Sequence, residues 1–333
     1  MRIGIVGATG AVGQEIIALL NERRFGIESI KLFASPKSAG KKIKYLKKNL
    51  VIEKIKKNSF TDLDIVFFSA GSSISKKYAE IAKKNGCYVI DNSSAFRLNK
   101  NVPLIVPEIN NEALNINKKI ISNPNCTTII SLMAVKPLMD LCEIKRVVAT
   151  SFQSVSGAGN TGIDELIRDT KAAIQKKKFK NKVFDRNIAF NVIPKIGDFE
   201  PNLFTQEEMK LQNESRKILS NKKINLTATT VRVPVLRSHS ISLNIEFIKK
   251  VNLKNIINAL KKFKGIRVHD DLDPNLYPTP HDSSNIDDCI AGRIRVDYSQ
   301  KNTVSLWVVG DQIRKGAALN AVQIAEALRD KIR

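Results

Sequence analysis

The first thirteen residues constrain the fold more than any other stretch of the chain. The apolar run from Arg2 to Gly7 predicts a strand, glycines follow at positions 7, 10 and 13, and a helical apolar pattern begins at Ile16. This order gives a G-x-x-G-x-x-G variant of the dinucleotide fingerprint, in which missing side chains let a pyrophosphate reach a helix N-terminus. The alternative is a tight turn without a ligand. The residues predicted to contact a cofactor here are Gly7, Thr9, Gly10, Ala11 and Val12.

Strands and helices continue to alternate after this turn. Apolar strands are predicted at 30–34, 64–69 and 88–91, with a helical stretch at 75–84. Such alternation is typical of a doubly wound, Rossmann-type parallel sheet. Longer strands at 144–153, 226–235, 240–248 and 304–309 predict a second domain, and an amphipathic helix at 313–332 is expected to pack back on the first. The predicted fold class is therefore α/β, with a Rossmann-type domain and an α+β domain.

The end of the second predicted strand indicates which dinucleotide is bound. NAD-binding proteins present an acid to the ribose 2′-hydroxyl at this point, whereas this chain offers hydroxyl and ammonium groups in the segment from 35 to 41. These groups suit a 2′-phosphate, so NADP is the predicted cofactor. The alternative is a lysine-rich surface loop in a lysine-rich protein. The candidate residues are Ser35, Lys37 and Ser38.

A single cysteine carries the predicted chemistry. Cys126 follows the apolar Ile120-Ile121 pair and precedes a helical run that starts at Ile129. A thiol at a strand-to-helix turn faces unpaired backbone N–H groups and the positive end of the helix dipole, which favour the nucleophilic thiolate. The alternative is a small buried cysteine that only happens to precede a helix.

Other polar residues lie where ligands bind, but their spacing leaves their roles open. Arg97 closes a polar loop after the strand at 88–91 and is either a solvated charge or a phosphate ligand. The loop with Ser156 and Gly157 either holds a nicotinamide or merely turns the chain. Thr205 and Glu208 predict a capping box for a charged helix. Glu207, Lys210 and Glu214 share one face of it, which on spacing alone predicts surface ion pairs, and His239 has a hydroxyl residue on each side near a strand end.

Composition argues against several classes of protein. The chain of 333 residues has no apolar window near the ~20 residues of a membrane span. Its N-terminus enters a strand directly, so we expect a cytoplasmic protein without a membrane partner. The net charge of +23 comes from dispersed lysines without interleaved aromatic residues, so no nucleic-acid partner is predicted. Four cysteines without a CxxC pair and three histidines predict neither disulfides nor a metal site.

Taken together, the motifs resemble the aspartate-semialdehyde dehydrogenase family over essentially the whole chain. The resemblance implies an NADP-dependent, homodimeric enzyme that reductively dephosphorylates L-aspartyl 4-phosphate to L-aspartate 4-semialdehyde, in the biosynthesis of lysine, threonine, methionine and diaminopimelate. It implies a cofactor domain of residues 1–127 with 313–333, and a catalytic and dimerisation domain of residues 128–312. The matching segments are GATGAVGQE (7–15), SAGKK (38–42), SSAFR (93–97), VPEIN (106–110), SNPNCTT (122–128), QSVSGAGNTG (153–162), EEMKLQNESRKI (207–218), RVPVLRSHS (232–240) and GDQIRKGAALNAVQIAE (310–326).

The same resemblance implies roles for individual residues. Cys126 is expected to form a thioacyl intermediate with loss of phosphate, and His239 is expected to act as acid and base. Gln153 would orient the acyl group. The remaining expected substrate ligands are Arg232 for the α-carboxylate, Glu207 for the amino group, and Arg97 with Lys210 for the phosphate. The chain departs from the family at Lys37, where many relatives carry arginine, and at Gln312, where asparagine is frequent and an amide could reach the nicotinamide.

Three alternatives remain at this stage. N-acetyl-glutamyl-phosphate reductase shares the architecture, but its pattern is closer to NPGC, and Asn125 argues against it. Glyceraldehyde-3-phosphate dehydrogenase also places Cys before Thr-Thr, yet its surrounding motifs are absent. A basic dinucleotide-binding or nucleic-acid-binding protein would use the charge and the glycines without needing the thiol.

Overall fold

The chain forms two compact units in a computed structural model that describes residues 1–46, 48–178, 180–269 and 275–332. One unit contains residues 1–125 and 317–333, and the other contains residues 126–316. The functional domains predicted from sequence divide after residues 127 and 312, and their assignment to cofactor binding and catalysis stays a prediction.

The first unit is built on a seven-stranded sheet in the order β3-β4-β2-β1-β5-β6-β7. All neighbouring strands are parallel except the β3–β4 pair. Because β1 has β2 on one side and β5 on the other, the strand order reverses at β1, and ligands of open α/β sheets bind at such a point. The elements are β1 (Arg2–Val6), α1 (Ala11–Glu22), β2 (Ser29–Ala34), β3 (Lys42–Tyr45), β4 (Lys48–Lys54), β5 (Ile65–Phe68), α2 (Ser72–Lys84), β6 (Tyr88–Asp91), α3 (Pro107–Asn110) and β7 (Ile120–Ser122).

This parallel sheet is buried on both faces, as its apolar strands predict. Ile5 and Leu32 belong to the core cluster on one face, whereas Val6 and Phe33 belong to the cluster on the other. The side chains of neighbouring strand residues point to opposite faces, which is why adjacent positions enter different cores.

The second unit is built on a mixed six-stranded sheet in the order β11-β12-β13-β10-β8-β9. In β10, Ile241 and Leu243 are fully buried while Ser242 and Asn244 are half-buried, so one face of the sheet is more covered than the other. The elements are α4 (Cys126–Leu141), β8 (Ile144–Gln153), α5 (Asn160–Ile174), α6 (Gln206–Ile218), β9 (Leu226–Arg232), β10 (His239–Phe247), α7 (Leu253–Lys262), β11 (Ile266–His269), α8 (Pro280–Ser283), β12 (Cys289–Val296) and β13 (Thr303–Gly310).

The C-terminal segment differs in detail from the single helix expected over 313–332. It begins with a π-helical turn, Arg314–Ala318, in which Gly316 N donates to Asp311 O at 2.9 Å. The α-helix proper, α9 (Leu319–Ile332), follows and packs against α1 and α3 of the first unit, as expected. π-helical turns often occur at functional sites.

One strand is shorter than predicted. The expected strand at 226–235 ends at Arg232, and Pro234 then interrupts the segment that leads to β10. Proline lacks the N–H that a ladder needs, so the strand cannot continue through it as a central strand.

Candidate active site

The nucleophile candidate lies at the first residue of a helix. Cys126 opens α4, four residues after the end of β7, and its side chain is partly exposed. The strand-to-helix turn predicted around this thiol is therefore present. The N–H groups of the first helical turn have no partner within the helix, so the local field at the sulfur favours a negative charge.

His239 faces this sulfur. It is the first residue of β10, it is fully buried, and its Nε2 lies 3.4 Å from Cys126 Sγ. Burial and the nearby charge of Arg232 lower the pKa of His239 to about 3, because both disfavour the imidazolium. The ring is therefore neutral near pH 7.

The opposite edge of the His239 ring contacts a loop of hydroxyl side chains. Ser154 donates its backbone N–H to Nδ1 at 3.2 Å, and its Oγ lies 3.1 Å from the same nitrogen. Ser154 Oγ is also 3.2 Å from Ser156 Oγ, which accepts a hydrogen bond from Gln312 Nε2. Gln312 Oε1 in turn accepts the backbone N–H of Ser238 at 2.7 Å. The candidate residues Ser156 and Gln312 are thus linked to the histidine.

Strand register brings the charged residues to the same place. Gln153 ends β8 and is paired with Arg232, which ends β9, while β10 runs along the other side of β8 and begins at His239. The ends of three adjacent strands thus present an amide, a guanidinium and an imidazole. Arg232 is only 6% exposed, and its Nη1 donates to the Ser154 carbonyl at 2.6 Å.

Helix α6 adds a buried carboxylate. Glu207 accepts hydrogen bonds from Gln153 Nε2 at 3.3 Å and from Lys210 Nζ at 3.1 Å. The ion pair expected from spacing is present, but Glu207 is only 6% exposed and so is not a surface residue. The capping box of Thr205 and Glu208 that starts this helix is confirmed.

Gly157 is packed against two of these groups. A Cβ built on it would lie 2.8 Å from Arg232 Nη1 and 3.4 Å from His239 Cε1. Any side chain here would push the guanidinium or the ring aside. The structure thus places Gly157, predicted as a cofactor ligand, beside the catalytic candidates.

The glycine turn of the first unit borders a separate cavity. The cavity has a volume of about 500 Å³, and its lining includes Gly7, Thr9, Gly10 and Ser35. Ala11 and Val12 form the first turn of α1, whereas Lys37 and Ser38 lie in the turn after β2, outside the lining.

Close backbone packing explains two of the three glycines of this turn. Gly7 has φ +88°, and a Cβ on Gly13 would lie 2.2 Å from Gly7 O. The turn therefore needs residues without side chains, and the cavity beside it can accept a dinucleotide at the N-terminus of α1.

Arg97 lies in the first unit, on the loop after β6. It is buried, and it donates from Nε to Asn123 O at 2.9 Å and from Nη2 to Asn92 O at 2.8 Å. These bonds tie the loop to the segment that precedes the cysteine. Its predicted contact with a substrate phosphate stays a prediction.

The described residues contain neither a cluster of metal-ligating side chains nor a helix suited to a membrane. Within 1–46, 48–178, 180–269 and 275–332, no three His, Cys, Asp or Glu side chains are grouped to hold a metal ion. No helix in the same ranges is both long enough and apolar enough to span a bilayer. The four cysteines form no disulfide; Cys87 and Cys289 are buried, and Cys126 and Cys142 are partly exposed.

Comparison with known proteins decides the family. A family model described as semialdehyde dehydrogenase, NAD binding domain, matches residues 2–116, and one described as semialdehyde dehydrogenase, dimerisation domain, matches residues 135–315. An aspartate-semialdehyde dehydrogenase from Synechocystis sp. is 44% identical over 331 residues, covering 99% of this chain and 98% of the relative. The chain belongs to the aspartate-semialdehyde dehydrogenase family.

Further members of the aspartate-semialdehyde dehydrogenase family agree in sequence and in structure. The Campylobacter jejuni enzyme is 44% identical and covers 98% of this chain and 96% of its own. The crystal structure of aspartate semialdehyde dehydrogenase II from Vibrio cholerae, complexed with ASA, is 40% identical with a TM-score of 0.96, covering 99% of this chain and 98% of that one. The predicted fold class and the oxidoreductase prediction are confirmed, and the family model of the first unit confirms a nicotinamide-dinucleotide domain.

Sequence reasoning missed two residues that the structure places beside the candidate site of this aspartate-semialdehyde dehydrogenase family member. Ser154 contacts His239 through its backbone N–H, which leaves no side-chain signature. The ring of Phe184 lies 5.8 Å from the guanidinium carbon of Arg232, and no motif marks it. Only the position of Ser154 in the polar loop after β8 could have singled it out.

Proposed function

We propose that this chain reductively dephosphorylates L-aspartyl 4-phosphate to L-aspartate 4-semialdehyde, using NADPH, on the route to lysine, threonine, methionine and diaminopimelate. The observation that carries the proposal is the 3.4 Å approach of Cys126 Sγ to His239 Nε2, beside a buried guanidinium and a buried carboxylate. Family membership supports the reaction, and the geometry supports the assignment of roles.

Cys126 acts as the nucleophile. Its sulfur attacks the acyl carbon of the aspartyl phosphate, a C–S bond forms, and phosphate leaves with the electrons of the C–O bond. His239 is the partner of the sulfur at Nε2, and Gln153, one strand away, orients the acyl group. A reduced nicotinamide, when bound, would supply a hydride to the thioacyl carbon. Cys126 holds that carbon through the reduction to the thiohemiacetal, from which the aldehyde is released.

Opposite charges of the site suit an amino acid. Arg232 binds the α-carboxylate through its planar guanidinium, and Glu207 faces the ammonium group. Lys210 and Arg97 are the proposed ligands of the phosphate. An N-acetylated substrate has no ammonium group for Glu207, so the enzyme should reject the N-acetyl-glutamyl analogue.

NADP is the proposed cofactor. The cavity of about 500 Å³ beside Gly7, Thr9 and Gly10 fits a dinucleotide whose pyrophosphate approaches Ala11 and Val12. Ser35, Lys37 and Ser38 would hold the 2′-phosphate, because hydroxyl and ammonium groups attract it and no carboxylate repels it. Ser156, Gly157 and Gln312 are the proposed contacts to the nicotinamide end.

The test is phosphate-dependent reduction of NADP with aspartate semialdehyde, the reverse reaction. Cys126→Ala should abolish turnover, by about 10⁴-fold or more, and retain NADP binding. Cys142→Ala is the matched control, because Cys142 is also a partly exposed thiol. A Cys126→Ala variant with full turnover would contradict the mechanism, and wild-type protein that turns over only the N-acetylated substrate would contradict the substrate.

We further propose that the enzyme is a cytoplasmic homodimer, assembled through the second unit. The match of residues 135–315 to a dimerisation domain supports the dimer. So does the less covered sheet face, where the tilted rings of Phe152 and Trp307 have centroids 5.4 Å apart beside a groove of about 590 Å³. Light scattering should give twice the chain mass for the wild type. Trp307→Glu should lower the measured mass toward that of one chain. An active wild-type monomer would contradict this proposal.

A further inference from the structure

We propose that the backbone N–H of Ser154 fixes His239 in the tautomer that carries its proton on Nε2. In this tautomer the ring donates a hydrogen bond toward Cys126 and the substrate oxygen, and it does not remove the proton of the thiol. The inference rests on the proposed function, and it narrows the acid and base role expected for His239 to that of a fixed donor.

The backbone N–H of Ser154 is an obligatory donor. Ser154 N lies 3.2 Å from His239 Nδ1 with its N–H directed at that nitrogen, and a backbone N–H can donate but never accept. Nδ1 accepts this bond only when it carries no proton. A neutral imidazole has a single N–H, which must then be on Nε2, the nitrogen 3.4 Å from Cys126 Sγ.

The hydroxyl of Ser154 does not decide the tautomer. Its Oγ is 3.1 Å from Nδ1 and 3.2 Å from Ser156 Oγ, and a hydroxyl either donates or accepts. It is compatible with both forms of the ring. The backbone N–H is compatible with only one.

A backbone interaction with Ser238 acts in the opposite direction. It raises the pKa of His239, although burial and Arg232 outweigh it. With a proton on Nδ1, however, two N–H groups would point at each other across 3.2 Å. Ser154 and His239 are both 0% exposed, so water could not relieve the buried donor.

The doubly protonated ring is disfavoured as well. An imidazolium carries protons on both nitrogens and meets the same conflict with Ser154 N–H. Arg232 opposes its positive charge, whereas Glu207 favours it, and the pKa of His239 still falls to about 3. Arg232 donates to the carbonyl of Ser154, so one residue of the loop holds both the ring and the guanidinium.

The reaction balances without a proton on Nδ1. The thiol of Cys126 gives its proton to solvent water, and the thiolate is stabilised by the Nε2–H and by the N-terminus of α4. The thiolate adds to the acyl carbon, and phosphate departs with the electrons of the C–O bond and takes a proton from water.

The reductive half also needs no proton from the histidine. When the thioacyl carbon has received the hydride, its oxygen carries a negative charge, to which Nε2–H donates. This alkoxide then re-forms the C=O bond and expels the thiolate. No proton passes through His239, and the site ends as it began.

The test reads the tautomer directly. The chain has only three histidines, so ¹⁵N solid-state NMR of protein labelled at histidine can resolve them, and His269→Gln and His281→Gln variants assign them. At pH 7 we expect an unprotonated Nδ1 and a protonated Nε2 for His239. A protonated Nδ1, whether in the neutral ring or in imidazolium, would overturn the proposal.

Ser154→Ala is the matched variant, because it removes the hydroxyl and keeps the backbone N–H. The tautomer of His239 should be unchanged in this variant. A switch to Nδ1–H would show that the hydroxyl of Ser154, and not its backbone N–H, determines the tautomer, and would overturn the proposal. The spectrum needs no turnover, so the two proposals can fail separately. An inactive protein with Nε2–H contradicts only the proposed function, and an active one with Nδ1–H contradicts only this inference.

Discussion

The two candidate binding regions of this protein are built on opposite principles. In the first unit, the proposed cofactor contacts belong to a turn of closely packed backbone, where a Cβ on Gly13 would lie 2.2 Å from Gly7 O. In the second unit, Arg232, Glu207 and His239 are almost completely buried charged or titratable side chains. The space around the backbone therefore determines which substitutions the first region accepts, and the placement of charges determines which ones the second accepts.

The two regions should therefore respond differently to mutation and to pH. A region made of backbone should tolerate changes of charge and pH but not added volume. A region made of buried charges should lose activity or stability when a guanidinium loses its paired hydrogen bonds or when a titratable group changes its protonation state. Substitutions and a pH series can test whether the two regions differ in this way.

The largest effect is expected at Arg232. In Arg232→Lys the charge remains, but the planar fork that suits a carboxylate and the bond to Ser154 O are lost. We expect kcat/KM for aspartate semialdehyde to fall by about 10²–10³-fold, the range for a disrupted buried charge interaction. Arg237→Lys is the control, because Arg237 pairs with Asp311 and belongs to no proposed substrate contact. Equal losses of kcat/KM in both variants would show that the guanidinium of Arg232 makes no specific contact with the substrate.

Two glycines separate the demands of folding from those of the ligand. Gly13→Ala should destabilise the protein by about 1–3 kcal/mol, because its Cβ would meet backbone. Gly10→Ala should change stability by less than about 0.5 kcal/mol, since its Cβ would lie 3.4 Å from Gly7 O, yet it should weaken NADP binding because Gly10 lines the cavity. Denaturant unfolding and fluorescence titration measure the two effects. If Gly10→Ala bound NADP as tightly as wild type, the cavity would not be the cofactor site.

The pH dependence of stability tests the second region. The pKa of His239 is depressed to about 3 in the folded state, so between about pH 6.5 and pH 3 the unfolded chain binds a proton that the folded chain does not. This contribution to the free energy of unfolding therefore falls as the pH falls. Between pH 7 and pH 5 the wild type should lose about 2 kcal/mol more than His239→Gln. Identical losses would show that the folded ring takes up protons freely.

The smallest effect is expected at Lys37. Arginine holds a phosphate through two parallel bonds, so Lys37→Arg should raise the ratio of kcat/KM for NADP to that for NAD by about two- to fivefold. Lys42→Arg, on an exposed strand position, is the control. An unchanged ratio would place the 2′-phosphate elsewhere.

Local patterns made several features of both units predictable. The strand, glycine turn and helix at the N-terminus are set by neighbours in sequence, and so are the position of Cys126 at a strand-to-helix turn and the capping box of Thr205 and Glu208. In each case the physical cause lies within a few residues, so the sequence contains it explicitly.

The second region was less predictable, because its geometry depends on strand pairing. Gln153 and Arg232 meet through the register of β8 with β9, which no spacing encodes. Glu207 shows the same limit: its spacing to Lys210 correctly predicts an ion pair, but its burial and its contact with Gln153 arise from tertiary packing. Its proposed role came from the family resemblance and not from the pattern.

The distribution of the four thiols has a practical consequence. Burial raises the pKa of Cys87 to about 11, and Cys289 is equally inaccessible, so an alkylating reagent added to the native protein meets only Cys126 and Cys142. Replacing Cys142 by serine leaves Cys126 as the one accessible thiol for such a reagent. Counting equivalents of label per chain would then count intact catalytic centres, without any need for a turnover assay.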